Sequence, residues 1–382
     1  AAPFYAWGAK LGRTKGYTGR KKLTQENKVW ALVDLDGDGR VDQSTAVIGP
    51  EDMITRPMGV AWHNNFLYVT VGGLKEPTRV RKVGPGVDEY ALAGVPFLRS
   101  GGKANLPVME MREAVSPSML PSDQATAVHN WKHVFIHPFN DKMYLPVGAP
   151  CNVCNETHTL DRYKHPLFNP PQSDVAKDPS LGLLADSNHA TILEFDLNRN
   201  ELGKPVARGV RNSLGIDWHP DTGDMWVTNN GRDLMGDNTP ECTVHRIPKH
   251  TLEAHAHYHA GFPVCHTTMR DPNEDPIDRC QKDETGCTNP LEWLPDDVFS
   301  NGHTCRGEHF IPASIALGPH NAPLGAAFYD WQRVKGRPSA FPSSYDRALF
   351  VAEHGSWNRS PPTGYRVSVS FIDGEKVRQG KH

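Results

Sequence analysis

The sequence predicts an all-β protein of the β-propeller type, and three observations predict it. Its 34 glycines and 32 prolines make up about 17% of the 382 residues, against roughly 12% in an average protein, so turns are frequent. Apolar residues occur in many short runs rather than in long amphipathic helical stretches. A pattern of strand, turn and strand recurs along the chain. The less favoured alternative is an α/β enzyme with long loops.

The recurring pattern has four copies, each an alternating strand, a polar turn and a strand that ends in glycine or small polar residues. The copies span 59–72, 134–148, 214–231 and, with an insertion, 324–355. A unit that recurs at intervals of roughly 70–110 residues is typical of a propeller with insertions. The loops at the strand ends of such a fold meet at one mouth of a central channel, where functional residues are expected. We expect one domain, 1–382.

The charge balance and hydropathy exclude two classes of partner. The chain has 41 basic and 44 acidic residues, a net charge of −3, and this indicates neither nucleic acid nor an anionic membrane as partner. No apolar run approaches the roughly 18 residues that a membrane span needs.

Seven cysteines favour an oxidising compartment. Six of them lie in two neighbourhoods, Cys151–Cys154 and Cys265–Cys305, and a glycosylation sequon begins at Asn155. We therefore predict structural disulfides and an extracellular, periplasmic or otherwise extracytosolic location. A zinc site at the CxxC pair is the alternative, whereas haem attachment fails because Asn155, not histidine, follows the pair. One cysteine is free or pairs outside this sequence.

Two segments are candidate calcium sites. The loop from Asp34 to Asp42 carries oxygen ligands at alternate positions with glycine at the sixth, but it lacks the twelfth-position glutamate of an EF-hand. It is either a calcium-binding hairpin loop, with ligands Asp34, Asp36, Asp38 and Asp42, or a metal-free acidic turn. The second candidate is the segment from Thr228 to Asp237, at the end of the third copy. Its turn carbonyls and carboxylates could bind calcium, or it is simply a tight polar turn.

Two further motifs precede predicted inner strands. His129 stands before the second copy, where a histidine is a candidate general base near neutral pH, although most of the 19 histidines are expected to be structural. Arg211 and Asn212 stand before the third copy. Their planar donors suit an anionic or carbonyl-bearing ligand, or they satisfy loop carbonyls.

The remaining motifs are less specific. Four histidines between His255 and His266 favour a polar loop over a transition-metal site. The segment 352–367 lies at a predicted strand exit. The motifs of serine hydrolases, zinc proteases and phosphate-binding loops are absent from the sequence.

The order of these motifs resembles the soluble glucose/sorbosone dehydrogenase family. The segments that carry the resemblance are VHNWKHVFIHP, YLPVGAPCNVC, ARGVRNSLGIDWHPDTGDMWVTNNGRD, HAGFPVCH, LGPHNAPLGAAFY and FVAEHGSWNRSPPTGYRV, between about residues 30 and 370. The resemblance implies a six-bladed β-propeller that holds pyrroloquinoline quinone (PQQ) over Ca²⁺ and oxidises a sugar, with electrons passing on to an acceptor that the sequence does not identify.

The resemblance also assigns roles to residues. His129 matches the general base that takes the sugar hydroxyl proton, and the carbonyls of Gly231 and Arg232 match the calcium ligands. Cofactor contacts are implied for Arg211, Asn212, His320 and, in place of an expected lysine, Arg359.

Three departures from the family pattern leave a second function open. The stretch from Gly236 to Cys242 is shortened, the lysine near 353–359 is missing, and the C-terminal arginines expected to hold quinone carboxylates are absent. We expect blade segments to be missing at both ends, because an open propeller would expose edge strands. The alternative to a dehydrogenase is a catalytically silent extracellular propeller that binds a glycan or protein or has a structural role.

Overall fold

The protein is described by a computed structural model that covers most of the chain. The described residues are 4–13, 23–49, 56–73, 76–87, 89, 92, 109–121, 129–150, 152, 188–263, 265–268, 292–295, 311–374 and 376–378. The predicted cysteine pairs involving 151, 154, 280, 287 and 305, and the sequon at 155, lie outside these ranges.

Strands dominate the described residues. In chain order they are β1 (Phe4–Arg13), β2 (Leu23–Asp34), β3 (Gln43–Ile48), β4 (Pro57–His63), β5 (Phe66–Gly73), β6 (Glu76–Gly84), β7 (Glu110–Val115), β8 (Phe135–Ile136), β9 (Lys142–Val147), β10 (Thr191–Asp196), β11 (Lys204–Arg208), β12 (Ile216–Trp218), β13 (Met225–Asn229), β14 (Glu241–Ile247), β15 (Cys265–Thr268), β16 (Glu292–Pro295), β17 (Ile315–Pro319), β18 (Pro323–Phe328), β19 (Ala348–Glu353), β20 (Arg366–Asp373) and β21 (Lys376–Arg378). The helices are short: α1 (Lys249–Ala254), α2 (Trp331–Val334), and 3-10 turns at Pro117–Met119 and Ser343–Tyr345. None of these helices has the length and apolar character to cross a membrane.

The strands form antiparallel sheets that follow the chain. Four sheets have four strands each, ordered β4-β5-β6-β7, β8-β9-β10-β11, β12-β13-β14-β17 and β18-β19-β20-β21. The first sheet, β1-β2-β3, has three strands, and β15-β16 form a separate pair. The four predicted copies coincide with β4–β5, β8–β9, β12–β13 and β18–β19, so the all-β prediction and the repeat are confirmed. Six blades and their closure stay predictions.

The core lies between successive sheets rather than inside one of them. Val29 of the first sheet packs with Leu67 of the second, and Tyr68 of the second with Leu193 of the third. The same holds further along the chain, where Trp226 packs with Leu349 of the last sheet. β13 is buried at all five positions, where the apolar residues Met225, Trp226 and Val227 are followed by the buried polar residues Thr228 and Asn229.

The fourth sheet is completed only after a long excursion. The chain leaves β14 at Ile247, passes through α1 and the β15–β16 pair, and returns as β17, which pairs with β14. Three residues then lead into β18, the first strand of the last sheet. The outer edge of one sheet is thereby joined directly to the start of the next.

Loops at one end of the sheets lie side by side, and we call them the loop cluster. Its residues are 129–134 before β8, 148–150 and 152 after β9, 209–215 before β12, 230–240 after β13, 320–322 before β18 and 354–360 after β19. Backbone hydrogen bonds connect them: Ala149 N–H donates to Arg211 O at 2.7 Å, Asn230 N–H to Asn212 O at 2.9 Å, and Gly355 N–H to Asn321 O at 2.9 Å. The sheet order therefore brings together segments that are far apart in sequence.

Candidate functional site

His129 is held in one tautomer at the entrance to β8. Its Nδ1 lies 2.7 Å from the carbonyl oxygen of Ala149. Because a carbonyl only accepts, Nδ1 carries the hydrogen and Nε2 keeps its lone pair. Burial and then the charge of Arg211 lower the pKa of His129 from 6.5 to about 3. The imidazole is therefore neutral at pH 7 and presents a proton acceptor.

Asn212 lies beside the same histidine. Both side chains flank Gly148, where an added Cβ would stand 2.5 Å from the His129 Cβ and 3.1 Å from the Asn212 Oδ1. Any larger residue than glycine would displace one of the two. The backbone at Gly148 lies so close to both side chains that His129, before β8, and Asn212, before β12, come together there.

Arg211 is buried, with 2% of the residue exposed, and its donors are aimed at three partners. Nη1 donates to Gly231 O at 2.7 Å, while Nη2 donates to Asn152 Oδ1 at 2.7 Å and to Asp233 Oδ2 at 2.9 Å. Its Nε is buried and has no hydrogen-bond partner among the described residues. Arg211 thus donates to a loop carbonyl, as one of the two predicted roles requires, and its Nε remains available to a ligand.

Asn152 and Asp233 complete the surroundings of Arg211, and neither was predicted from the sequence as a partner of that arginine. The Asn152 side chain accepts from Asp233 N–H at 2.8 Å and donates to Asp233 O at 2.9 Å. The two residues are separated by 81 positions, although each lies in a segment that carries the family resemblance. The only signal was their position next to motifs already selected, in CNVC and NNGRD.

The turn after β13 contains the predicted carbonyl ligands. Gly231 O already accepts the bond from Arg211, and its second lone pair is not used by that bond. The neighbouring Asn230 Oδ1 is buried without a partner in the described part of the chain. Arg232 follows at a half-buried position.

His320 and Arg359 both hold the loop 232–240 of the loop cluster. His320 Nε2 lies 2.7 Å from Gly236 O, and Arg359 Nε donates to Asp237 O at 2.8 Å. Asn358 adds a bond from Nδ2 to Asp233 Oδ1 at 3.3 Å. The structure therefore places both predicted cofactor contacts against the same shortened stretch that distinguishes this sequence from the family pattern.

Cys242 is the free thiol among the described cysteines, whereas Cys265 is disulfide-bonded. The Cys242 sulfur is buried and accepts backbone N–H groups of Gly231, Asn321 and Ala322. Burial raises its pKa despite these bonds. The odd cysteine thus joins the turn after β13 to the link before β18.

The acidic loop 35–42 connects β2 to β3 as a hairpin, away from His129. Carboxylate oxygens of Asp34, Asp36 and Asp42 lie within 4.8 Å of one another, and this is the one such group found among the described residues. Asp38 lies outside the group and accepts from Arg40 N–H at 2.7 Å. The loop packs against residue 339, in the β18–β19 connection at the end of the last sheet opposite the loop cluster.

The histidine-rich segment begins where α1 ends. His255 ends α1 in a left-handed conformation, and His259 bridges to Arg208 beside β11. His255 and His257 are exposed, as expected for a polar loop, whereas His259 and His266 are buried.

Comparisons with known proteins place the fold. A calcium structure of the Trichoderma reesei Carbohydrate-Active Enzymes family AA12 protein superposes with a TM-score of 0.60 at 14% identity, covering 99% of this chain and 84% of that one. The holo form of the pyranose dehydrogenase PQQ domain from Coprinopsis cinerea superposes with a TM-score of 0.57 at 18% identity, covering 98% and 82%. At these identities the likeness shows the fold, which is propeller-like.

Sequence relatives agree with this placement. An uncharacterized protein of Borreliella burgdorferi is 28% identical over 265 residues, which cover 69% of this chain and 52% of that protein. A pyrroloquinoline quinone-dependent pyranose dehydrogenase of Coprinopsis cinerea is 28% identical over 199 residues, covering 51% of this chain and 23% of that enzyme. The chain thus matches about half of the first relative and about a quarter of the second.

The resemblance to quinoprotein sugar dehydrogenases that the sequence predicted is confirmed by these relatives. Residues 185–381, more than half of the chain, match the TrAA12-like family. The chain therefore belongs to the TrAA12-like family.

Proposed function

We propose that the protein is a PQQ-dependent dehydrogenase that oxidises an aldose or a related sugar. The observation that carries the proposal is the single tautomer of His129, whose Nε2 keeps its lone pair, together with the packing of His129 and Asn212 around Gly148 and the nearby charge of Arg211. A neutral imidazole with a fixed lone pair is what proton abstraction from a hydroxyl requires. We further propose one six-bladed propeller domain over residues 1–382.

The reaction removes two hydrogens from a sugar alcohol or hemiacetal, one from a hydroxyl group and one from the carbon that bears it. His129 Nε2 takes the hydroxyl proton, the C–O bond becomes C=O, and the carbon-bound hydrogen leaves with its electron pair. PQQ, when bound, supplies the acceptor for that hydride. The other side chains named here bind and orient the reactants.

The loop cluster fits an anionic, carbonyl-bearing cofactor. Arg211 keeps a buried Nε donor without a partner among the described residues, and a buried donor is stabilised by an acceptor that arrives with the ligand. Asn212 would be the second contact. His320 and Arg359 are the further candidates, and their bonds to the loop 232–240 would place that loop along the cofactor.

Two calcium positions are part of the proposal. The remaining lone pair of Gly231 and the carbonyl of Arg232 would hold an ion at the cofactor, where it would polarise a carbonyl. The group of Asp34, Asp36 and Asp42, with Asp38 beside it, would hold an ion that stabilises the β2–β3 hairpin.

Location and partners follow from composition. The cysteine pattern favours an extracytosolic compartment with further structural disulfides, and the near-neutral charge favours small-molecule substrates over nucleic acid. The proposed partners are a small-molecule sugar substrate and an electron acceptor.

One observation favours the second candidate, a silent propeller that binds a glycan or protein or has a structural role. Both His320 and Arg359 already bond to backbone carbonyls of Gly236 and Asp237, so a cofactor would have to share them. The two functions differ in whether added quinone is reduced.

Absorbance of the purified protein with PQQ and Ca²⁺, recorded before and after adding sugar, tests the proposal. We expect reduction of the quinone, and a rate that falls by roughly 10²–10⁴ in His129→Asn, because a positioned base is lost. His250→Asn, an exposed histidine of α1, is the matched control. Quinone that binds and is never reduced by any aldose would favour the silent propeller, and wild-type turnover in His129→Asn would exclude His129 as the base.

A further inference from the structure

Three apolar side chains stand exposed beside the candidate site. Leu234 is 75% exposed, Trp357 is 74% exposed and Tyr365 is 63% exposed. They lie on two segments, the loop after β13 and the loop between β19 and β20. We call these three residues the exposed patch.

One hydrogen bond joins the two segments beside the patch, and a second lies within the loop between β19 and β20. Asn358, which follows Trp357, donates to the Oδ1 of Asp233, which precedes Leu234. The Tyr365 hydroxyl donates to the carbonyl of Ser356, on the other side of Trp357. The patch is thus built on a fixed backbone, which lowers the entropy lost when a ligand binds.

The patch is continuous with the surroundings of Arg211. One carboxylate oxygen of Asp233 accepts from Asn358 and the other from Arg211. A ligand that extends from the Arg211 side over Asp233 would therefore reach Leu234 and Trp357 next.

The size and chemistry of the patch favour a sugar over a protein. A stable protein interface buries about 800 Å² on each partner and 20–30 residues, far more than three side chains provide. A pyranose ring has an apolar C–H face that matches an aromatic ring and a rim of hydroxyls. Around the patch, Asn358, Asp233 and Arg359 provide polar groups for such a rim.

We propose that Leu234, Trp357 and Tyr365 form a subsite for the neighbouring units of an oligosaccharide whose terminal unit is oxidised beside His129. The proposal rests on the function proposed above and specifies its substrate class. Trp357 is the stacking platform, and Tyr365 and Leu234 border it.

Calorimetric titration of quinone-free protein with cellotetraose, mannotetraose and xylotetraose, each beside its monosaccharide, tests the subsite. We expect at least one tetrasaccharide to bind roughly five- to tenfold more tightly than its monosaccharide, the gain typical of one aromatic contact. Trp357→Ala should remove that gain. Phe139→Ala, an aromatic residue that is 70% exposed in the β8–β9 turn at the opposite end of the sheets, should retain it.

The outcomes separate the subsite from the proposed function. Equal binding of every tetrasaccharide and its monosaccharide, or an unchanged gain in Trp357→Ala, overturns the subsite even if sugars are oxidised. A gain that depends on Trp357, with no reduction of added PQQ, supports the subsite and refutes the dehydrogenase.

Discussion

The guanidinium of Arg211 and the carboxylate of Asp233 form an ion pair, with 2.9 Å between Nη2 and Oδ2. The arginine side chain is 3% exposed and the aspartate side chain 25% exposed, so the pair is largely shielded from water. A shielded charge that loses its partner is left without compensation, which is far more destabilising than the loss of a surface pair.

Removal of this partner should therefore destabilise the fold. We expect Asp233→Ala to lower the free energy of unfolding by about 3 kcal/mol, and Asp233→Asn to lower it less, because the amide oxygen still accepts from Arg211. Urea denaturation measures both. Glu253→Ala, which removes an exposed pair with Lys249 on α1, is the control and should change stability by less than about 0.5 kcal/mol. Equal effects at the two positions would contradict the structural importance of the Arg211 pair.

The two proposed calcium positions should differ in their dependence on the quinone. The group of Asp34, Asp36 and Asp42 is rich in carboxylates and should bind Ca²⁺ in the bare protein. The carbonyls at Gly231 and Arg232 carry no charge and should bind it well only with the anionic quinone present. Calcium and quinone should then increase each other's affinity by the same factor.

Calcium calorimetry with and without PQQ separates the two positions. Asp36→Asn should weaken only the quinone-independent binding, since its carboxylate belongs to the hairpin group. If the calcium affinity is the same with and without PQQ, in both the wild type and this variant, the position at Gly231 is contradicted.

A buried histidine outside the site should make the fold sensitive to acid. His245 is 1% exposed, and burial lowers its pKa from 6.5 to about 4. Below pH 6.5 this histidine is protonated in the unfolded chain but stays neutral in the folded chain. The free energy of unfolding therefore falls between pH 6.5 and 4, by up to about 3 kcal/mol. His245→Gln should remove this share of the pH dependence, and His250→Gln, at an exposed position, should not. Parallel stability curves for wild type and His245→Gln between pH 7 and 4 would show that His245 is not responsible.

The cysteines should differ in reactivity. Cys242 is buried, and burial raises its pKa, so iodoacetamide should label it only after denaturation and without any reductant. Cys265 is disulfide-bonded, so labelling it should require reduction in addition to denaturation. Peptide mass spectrometry also tests the predicted pairs within Cys265–Cys305 and at Cys151–Cys154. Complete alkylation of all seven cysteines in native, unreduced protein would refute both the disulfides and the extracytosolic location.

Much of the fold could be predicted because its units are local. A strand, a turn and an antiparallel strand lie next to each other in sequence, and an enclosed strand such as β13 is marked by a run of apolar residues, here 225–227. The excursion between β14 and β17 could not be predicted, because the partner of β14 follows about 70 residues later and no periodicity marks it.

The candidate site was predictable only in part. His129, Arg211 and Asn212 were found because they precede strands of the repeat. Their true neighbours depend on tertiary contacts between sheets, such as the pairing of Asn152 with Asp233, and a short polar residue in a turn has no sequence signal for such a role. The engagement of His320 and Arg359 with the loop 232–240 was hidden for the same reason.

The three-residue link between β17 and β18 affects how the protein unfolds. Three extended residues span only about 10 Å, so the outer strand of the fourth sheet and the first strand of the last sheet cannot separate far. Asp217 of β12 accepts the Phe328 N–H of β18 at 2.6 Å, and Arg347 pairs with Asp221 across the same boundary. Ile315 and Leu317 of β17 share one apolar cluster with Val351 of the last sheet. We therefore expect the fourth and last sheets to unfold together as one cooperative unit.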